Sequence, residues 1–208
     1  MNMFHYGEVE MNYLIKKDKK LGAAIHAIGL IEREVNPDVF SALVHAIVGQ
    51  QISTKAQTTI WERMTSDLTA VTPQTILSRT ESELQSYGIS FRKVSYIQGV
   101  AERVADGRLD IDGLSAKTDE EICKELVQLN GVGAWTAEMI MLFSMQRPNI
   151  LSYGDLAILR GLRVLYHHKE ITKPLFEKYR KRYSPYGSVA SLYLWAIAGM
   201  EDASFTKL

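Results

Sequence analysis

Leu129-Asn130-Gly131-Val132-Gly133-Ala134-Trp135-Thr136-Ala137 joins a charged, helix-forming run, Asp119 to Gln128, to an apolar one, Trp135 to Met145. Two glycines around one small apolar residue allow a tight turn that exposes successive backbone N–H groups beside a new helix N-terminus. Amides and the positive end of a helix dipole suit a phosphate oxygen and need no charged side chain. Gly131, Val132 and Gly133 are therefore candidate backbone contacts to an anion, although Gly-x-Gly alone also fits a connector between packed helices. Asp155 stands twenty residues after Trp135, behind an irregular loop and a glycine, at the predicted start of another helix. Its plain reading is an N-cap. A carboxylate held there can also stabilise positive charge or orient a water, and the two roles are compatible.

Aromatic side chains accompany these two features. Trp135 follows the turn, Trp195 lies in Leu192-Tyr193-Leu194-Trp195, and Tyr153 and Tyr186 flank the loops. Each fits a helical core, which is the plainer reading of Trp195, Tyr153 and Tyr186, and each is also a candidate for an aromatic pocket wall.

The elements that must position these residues read as helices throughout. Leu21, Ile25, Ile28 and Ile31 recur at helical spacing, as do Phe40, Leu43, Val44 and Ile47 after Asn36-Pro37. Ser53 is expected to cap Thr54 to Met64. Thr80 with Glu83 forms a capping box for Glu81 to Tyr87, and Ser90 caps Phe91 to Ala105. Gly107 to Thr118 reads as a connector. Helices are expected over Asp155 to Tyr166, Lys173 to Tyr183 and Ser188 to Met200. No alternating run of useful length and no internal repeat occurs, so the fold class is all-α.

Composition narrows the function. At 208 residues and 46% hydrophobic, the chain can form one large domain or two small lobes sharing a core. No run approaches the roughly 18 apolar residues that a membrane span needs. The N-terminus lacks the basic and apolar regions of a secretory signal, so a cytoplasmic protein is expected. The single Cys123 excludes an internal disulfide framework and a four-cysteine cluster. His167-His168 has no partner at metal-ligand spacing and reads as surface; no metal site is expected. Net charge is zero, yet residues 1–155 carry 15 Lys and Arg against 20 Asp and Glu, and residues 156–208 carry 9 against 4. Lys169, Lys173, Lys178, Arg180, Lys181 and Arg182 concentrate that bias, either as a solvated face or as a face toward a phosphate backbone.

The Gly-Val-Gly turn with its distal aspartate, together with Ile47-Val48-Gly49-Gln50-Gln51-Ile52-Ser53, Gly88-Ile89-Ser90-Phe91-Arg92-Lys93 and Ser152-Tyr153-Gly154-Asp155-Leu156, resembles the helix-hairpin-helix DNA glycosylases, in particular the 3-methyladenine DNA glycosylase II branch. The similarity runs from about residue 12 to about residue 200. It implies two helical lobes with the active-site cleft between them, a hairpin at about 119–145 and a catalytic loop and helix at about 147–166. The whole of 1–208 then forms one glycosylase unit, beginning too close to the helical core for the amino-terminal β domain of fuller glycosylase II enzymes.

The same resemblance assigns roles. Asp155 occupies the position of the essential aspartate, which stabilises an oxocarbenium-like sugar and orients the attacking water. Trp135 stands where strand-cleaving relatives carry a nucleophilic lysine; without it no Schiff base forms, and base release is hydrolytic. Trp135, Trp195 and Tyr153 would form the base pocket. Phe91 matches the wedge that fills the gap left by a flipped nucleotide. Gln50, Gln51 and Ser53 would face the DNA, while Arg92 and Lys93 would meet phosphates; a helix-end hydrogen-bond cluster and a hydrophobic staple are the plainer readings of Gln50-Gln51 and Phe91. Double-stranded DNA with alkylated bases is the expected partner of a monomer. No cofactor is expected, although a monovalent cation could bridge the hairpin to a phosphate. Tyr153 replaces a frequent loop proline, which bears on substrate range. A non-catalytic hairpin module needs neither Asp155 nor Trp135, and a glycosylase for another base lesion is the remaining alternative.

Overall fold

The computed structural model describes residues 2–200; residues 201–208, which enter the charge count above, lie outside them. Twelve α-helices account for most of the described chain. They divide between two compact units, Asn36–Met145 and the combination of Met1–Val35 with Gln146–Leu208. No helix among the described residues is long and apolar enough to cross a membrane.

The first unit opens with α3 (Val39–Gly49), capped by Asp38, and α4 (Thr54–Leu68), whose N-cap Ser53 accepts a hydrogen bond from the Ala56 N–H. Short helices α5 (Pro73–Leu77) and α6 (Glu81–Ser86) follow, the latter with the reciprocal Thr80–Glu83 box. Then come α7 (Phe91–Ala105), capped by Ser90, a 3₁₀ turn at Asp112–Ala116, and the pair α8 (Asp119–Leu126) and α9 (Ala134–Phe143). Helix α3 packs against α4, α7 and α9. Leu43, Val44, Ile47 and Val48 of α3 are wholly buried, as are Val94 and Ile97 of α7 and Leu142 of α9. Each such side chain stabilises the unit by about 1.5–3 kcal/mol, so α3 is its hub.

The second unit contains β1 (Asn2–Met3) paired antiparallel with β2 (Glu34–Val35), α1 (Glu8–Lys17), α2 (Lys19–Ile28), α10 (Leu156–Tyr166), α11 (Lys173–Tyr183) and α12 (Gly187–Gly199). Apolar almost all round, α12 is the central element, with α10, α11, α1 and α2 packed on it. Its approach to α10 is close enough that a Cβ on Gly161 would lie 2.3 Å from the Leu194 carbonyl oxygen. Only glycine fits there.

Several expectations needed correction. Ile31 falls beyond α2, which ends at Gly29 with φ +76. Helices α1 and α5 were not expected; α1 buries only Leu14 fully, so its apolar pattern is faint. Gly107 to Thr118 holds a 3₁₀ turn. His167 is exposed as expected, whereas His168 is half-buried: its Nε2 lies 2.7 Å from the Tyr179 hydroxyl, beside a cluster of Tyr166, Tyr179 and Tyr183. The basic bias of α11 is partly neutralised, since Arg180 pairs with Glu177 and Arg182 with the buried Asp18.

Candidate functional site

The hairpin turn is built around Gly131. Its φ of +83 is a left-handed conformation that L side chains resist, and an added Cβ would meet the Tyr96 ring at 2.5 Å. Val132 differs from expectation: its side chain is 5% exposed and its N–H donates to the Leu129 carbonyl. It therefore pins the turn to the core and presents no amide of its own. Gly133 is the N-cap of α9, exposed and with open space around its Cα, and it supplies no side-chain acceptor to the first turn. Within the turn, Gly133 and the start of α9 are what remains as the candidate contact to an anion. Trp135 lies in that first turn with 48% of its surface exposed.

Two residues expected to meet DNA have internal partners. Gln50 Nε2 donates to the Gly131 carbonyl at 2.6 Å. Lys93 Nζ donates to the carbonyls of Val48 at 2.8 Å and Gln50 at 2.7 Å, at the C-terminal end of α3. Burial, with Arg92 alongside, holds the Lys93 ammonium below the ordinary lysine range. Lys93 is thus a brace and not a displayed charge. Gln51 is exposed in a left-handed conformation with φ +57, and Ser53 caps α4. Phe91 opens α7 with its ring 56% exposed, and Arg92 beside it is exposed.

In the other unit, Asp155 is the N-cap of α10. Its Oδ1 accepts from the N–H groups of Ala157 at 2.9 Å and Ile158 at 3.0 Å, and the residue is 6% exposed. The loop before it is fastened to α12 by residues that sequence reasoning did not single out. Ser188 Oγ accepts from the Ile150 N–H and donates to the Arg147 carbonyl, while Ser191 Oγ donates to the Ile150 carbonyl. Asn149 Nδ2 donates to Ser184 Oγ, and its Oδ1 accepts from the Gly187 N–H. Two serines three apart on an otherwise apolar helix were the signal available for this clasp. Tyr153 is part-exposed at the loop, its ring edge-on to Phe176 at 5.2 Å. Trp195 is half-buried on α12.

One unit thus presents a helix start without a side-chain cap beside an exposed indole. The other holds a buried carboxylate at the end of a loop hydrogen-bonded to α12. Residues 44–185 match the model for the HhH-GPD superfamily base excision DNA repair protein. The chain belongs to that superfamily. DNA-3-methyladenine glycosylase 1 of Schizosaccharomyces pombe is 29% identical over 173 residues, covering 81% of this HhH-GPD chain and 75% of that protein. A DNA-3-methyladenine glycosidase from Bacillus halodurans has a crystal structure with a TM-score of 0.87 at 33% identity, covering 100% of this chain and 95% of that one. The Schizosaccharomyces pombe 3-methyladenine DNA glycosylase Mag1, solved in complex with abasic DNA, gives 0.80 at 25% identity over 94% of this chain and 98% of that one.

Proposed function

We propose that this HhH-GPD protein is a monofunctional DNA glycosylase of the glycosylase II type. It would hydrolyse the N-glycosidic bond of flipped-out alkylated purines, of the 3-methyladenine and 7-methylguanine kind, and leave an abasic site in base excision repair. The observation that carries this reading is the exposed Trp135 indole in the first turn of α9, a position with no amine in it. A Trp face attracts a cationic purine, and an indole cannot form a Schiff base with C1′.

The chemistry follows from Asp155. N-alkylation places positive charge on the purine, which weakens the bond to C1′ and lets the base depart with the bonding electron pair as a neutral molecule. The Asp155 carboxylate stabilises the oxocarbenium-like sugar that remains and orients the water that adds to C1′, whose proton passes to the carboxylate or to solvent. No strong general acid is needed. Two backbone N–H groups on Oδ1 and the serine clasp behind the loop fix the carboxylate before substrate arrives, so little reorganisation accompanies the reaction. Similarity to proteins named for 3-methyladenine supports the substrate class.

The protein would bind duplex DNA as a monomer, with Gly133 and the start of α9 against a phosphate and Phe91 as the wedge. Gln51, Ser53 and Arg92 are the further candidate contacts, and Trp195 and Tyr153 would complete the pocket. No step requires a cofactor. A monovalent cation bridging the hairpin to a phosphate would draw on turn carbonyls, since a carbonyl oxygen has two lone pairs and can serve a hydrogen bond and a cation together.

Incubation with methylated duplex DNA and chromatography of the released bases tests the proposal. Free methylpurines should appear while the strand stays intact until alkali is added, and borohydride should trap no protein–DNA adduct. Binding without any base release would leave only a hairpin DNA-binding module. A trapped adduct would mean that an amine elsewhere in the chain attacks C1′.

A further inference from the structure

Lys93, Gln50 and Tyr96 close a triangle of contacts inside the Asn36–Met145 unit. The end of α3 is tied to α7 because Lys93 Nζ donates to the Val48 and Gln50 carbonyls. The same end of α3 is tied to the hairpin turn because the Gln50 side chain donates to the Gly131 carbonyl. One helical turn beyond Lys93, the Tyr96 ring would come within 2.5 Å of a Cβ on Gly131, so α7 packs closely against the hairpin turn. These hydrogen bonds link residues 45, 43 and 81 positions apart, and they add direction to the apolar packing of α3 on α7 and α9.

The partners suit their tasks. An ammonium group at the last carbonyls of a helix meets the negative end of the helix dipole and satisfies acceptors left over where the helix stops. Gln50 has left the helix, with φ −62 and ψ 131, and its amide reaches outward while its own carbonyl turns to Lys93. Phe91 stands two residues before Lys93 in the same first turn of α7, with its ring exposed. The triangle therefore fixes where Phe91 stands relative to the turn that would hold the DNA backbone.

We propose that Lys93 and Gln50 are positioning residues, not DNA contacts: the Lys93–Gln50–Gly131 relay locks the wedge-bearing end of α7 to the hairpin turn, so that insertion of Phe91 and capture of the backbone act as one event. This rests on the DNA glycosylase reading above. A misplacement of about 1 Å far from the chemistry can cost about a hundredfold in rate, which is the scale on which such a relay matters.

The test separates positioning from phosphate contact with Lys93→Met, which keeps the aliphatic stem, and with Gln50→Ala and the double variant. Affinity for undamaged duplex is measured across salt concentrations. Base unstacking is followed by rapid mixing with duplex carrying 2-aminopurine beside an abasic analogue. The relay predicts an unchanged slope of log affinity against log salt in Lys93→Met and unstacking slowed at least about tenfold in either single variant. The double variant should be no slower than the slower single one, as expected for two links of one chain. Lys93→Arg, which can still donate to both carbonyls, should recover most of the rate. A salt slope shallower by about 0.9 with normal unstacking would make Lys93 a phosphate contact and overturn the proposal. Additive losses in the double variant would overturn it as well. If Lys93→Met does not fold, Gln50→Ala carries the same expectation for unstacking, and a normal rate in it refutes the relay. Release of methylpurine by the wild-type protein, measured in parallel, distinguishes failure of the relay from failure of the glycosylase reading.

Discussion

Helices α9 and α10 both begin behind a glycine-bearing loop, and they begin in opposite ways. Gly133, at the N-cap of α9, has no side chain, so the first turn receives no acceptor from its own cap. Asp155, at the N-cap of α10, gives two N–H groups a carboxylate oxygen. One start is suited to receiving an anion from outside, while the other supplies an anion of its own. For a reaction that grips a phosphate backbone and passes through a cationic sugar, the two starts are electrostatic complements. The supports differ in kind as well. The hairpin turn is held by the long Gln50 side chain at the end of α3 and faced by the Tyr96 ring of α7, whereas the Asp155 loop is held by short hydroxyls on α12.

The sharpest way to break the comparison is to remove the charge at α10 and keep its cap. Asp155→Asn still accepts from the Ala157 and Ile158 N–H groups, so folding and DNA affinity should stay close to wild type. Single-turnover base release should fall by about a hundredfold or more, the scale of losing one preorganised electrostatic group. A rate above about half that of wild type would leave Asp155 as a cap and nothing else. At α9 the next effect belongs to the indole. Trp135→Ala should reduce excision of cationic methylpurines by about five- to 150-fold, corresponding to about 1–3 kcal/mol of stacking. Binding to a preformed abasic analogue should fall less, since it offers no base to stack on. Equal losses on both substrates would return Trp135 to a structural role.

The sequence made these two helix starts visible because capping is local. Ser53, Thr80 with Glu83, Ser90 and Asp155 each bond to N–H groups within three residues, and all four helix starts fall where expected. The supports were invisible for the converse reason. Lys93 reads as a free cation until Val48, 45 positions away, is seen to hold it. The same holds for Gln50 and Gly131, Arg182 and Asp18, and the serines of α12 with Ile150. Residue type discloses what a side chain can do; only the fold discloses which partner it has. Val132 shows the limit inside the motif itself, since a Gly-Val-Gly spacing does not say which of its amides is already bonded within the turn.

Asp18 sharpens the comparison as a second N-cap aspartate. Its Oδ1 accepts from Lys20 and Leu21 much as that of Asp155 does from its own helix, and its Oδ2 is paired with Arg182 at 2.6 Å. Burial pushes its carboxyl up, yet the Leu21 N–H, Tyr166 and Arg182 together hold it below the ordinary value. Its stabilising contribution is therefore fully present at neutral pH and is lost as the pH falls through about 4 and below. Asp18→Asn should cost about 1–2 kcal/mol at pH 7, discounted because Arg182 is partly exposed. The difference in Tm from wild type should shrink as the pH drops below 4, with base release at pH 7 unaltered once both proteins are folded. A constant difference across that range would show that the ion pair contributes nothing.

The smallest effect gives the clearest sign. Gly133 has φ −92 and nothing within 4 Å of a built Cβ, so Gly133→Asp fits without strain. A new N-cap carboxylate should accept from the first turn of α9, as Asp155 does in α10, and stabilise the protein by up to about 1 kcal/mol. The same charge would occupy the place proposed for a phosphate oxygen, so affinity for damaged and undamaged duplex should fall together, by about tenfold, because backbone contacts carry no sequence information. Stability and binding thus move in opposite directions from one substitution. Gly131→Ala separates this from mere disruption of the hairpin, because its methyl group meets Tyr96 and its backbone is left-handed, so stability and binding must drop together. If Gly133→Asp raised Tm and left DNA affinity unchanged, α9 would be an ordinary helix start and the phosphate would have to be held elsewhere.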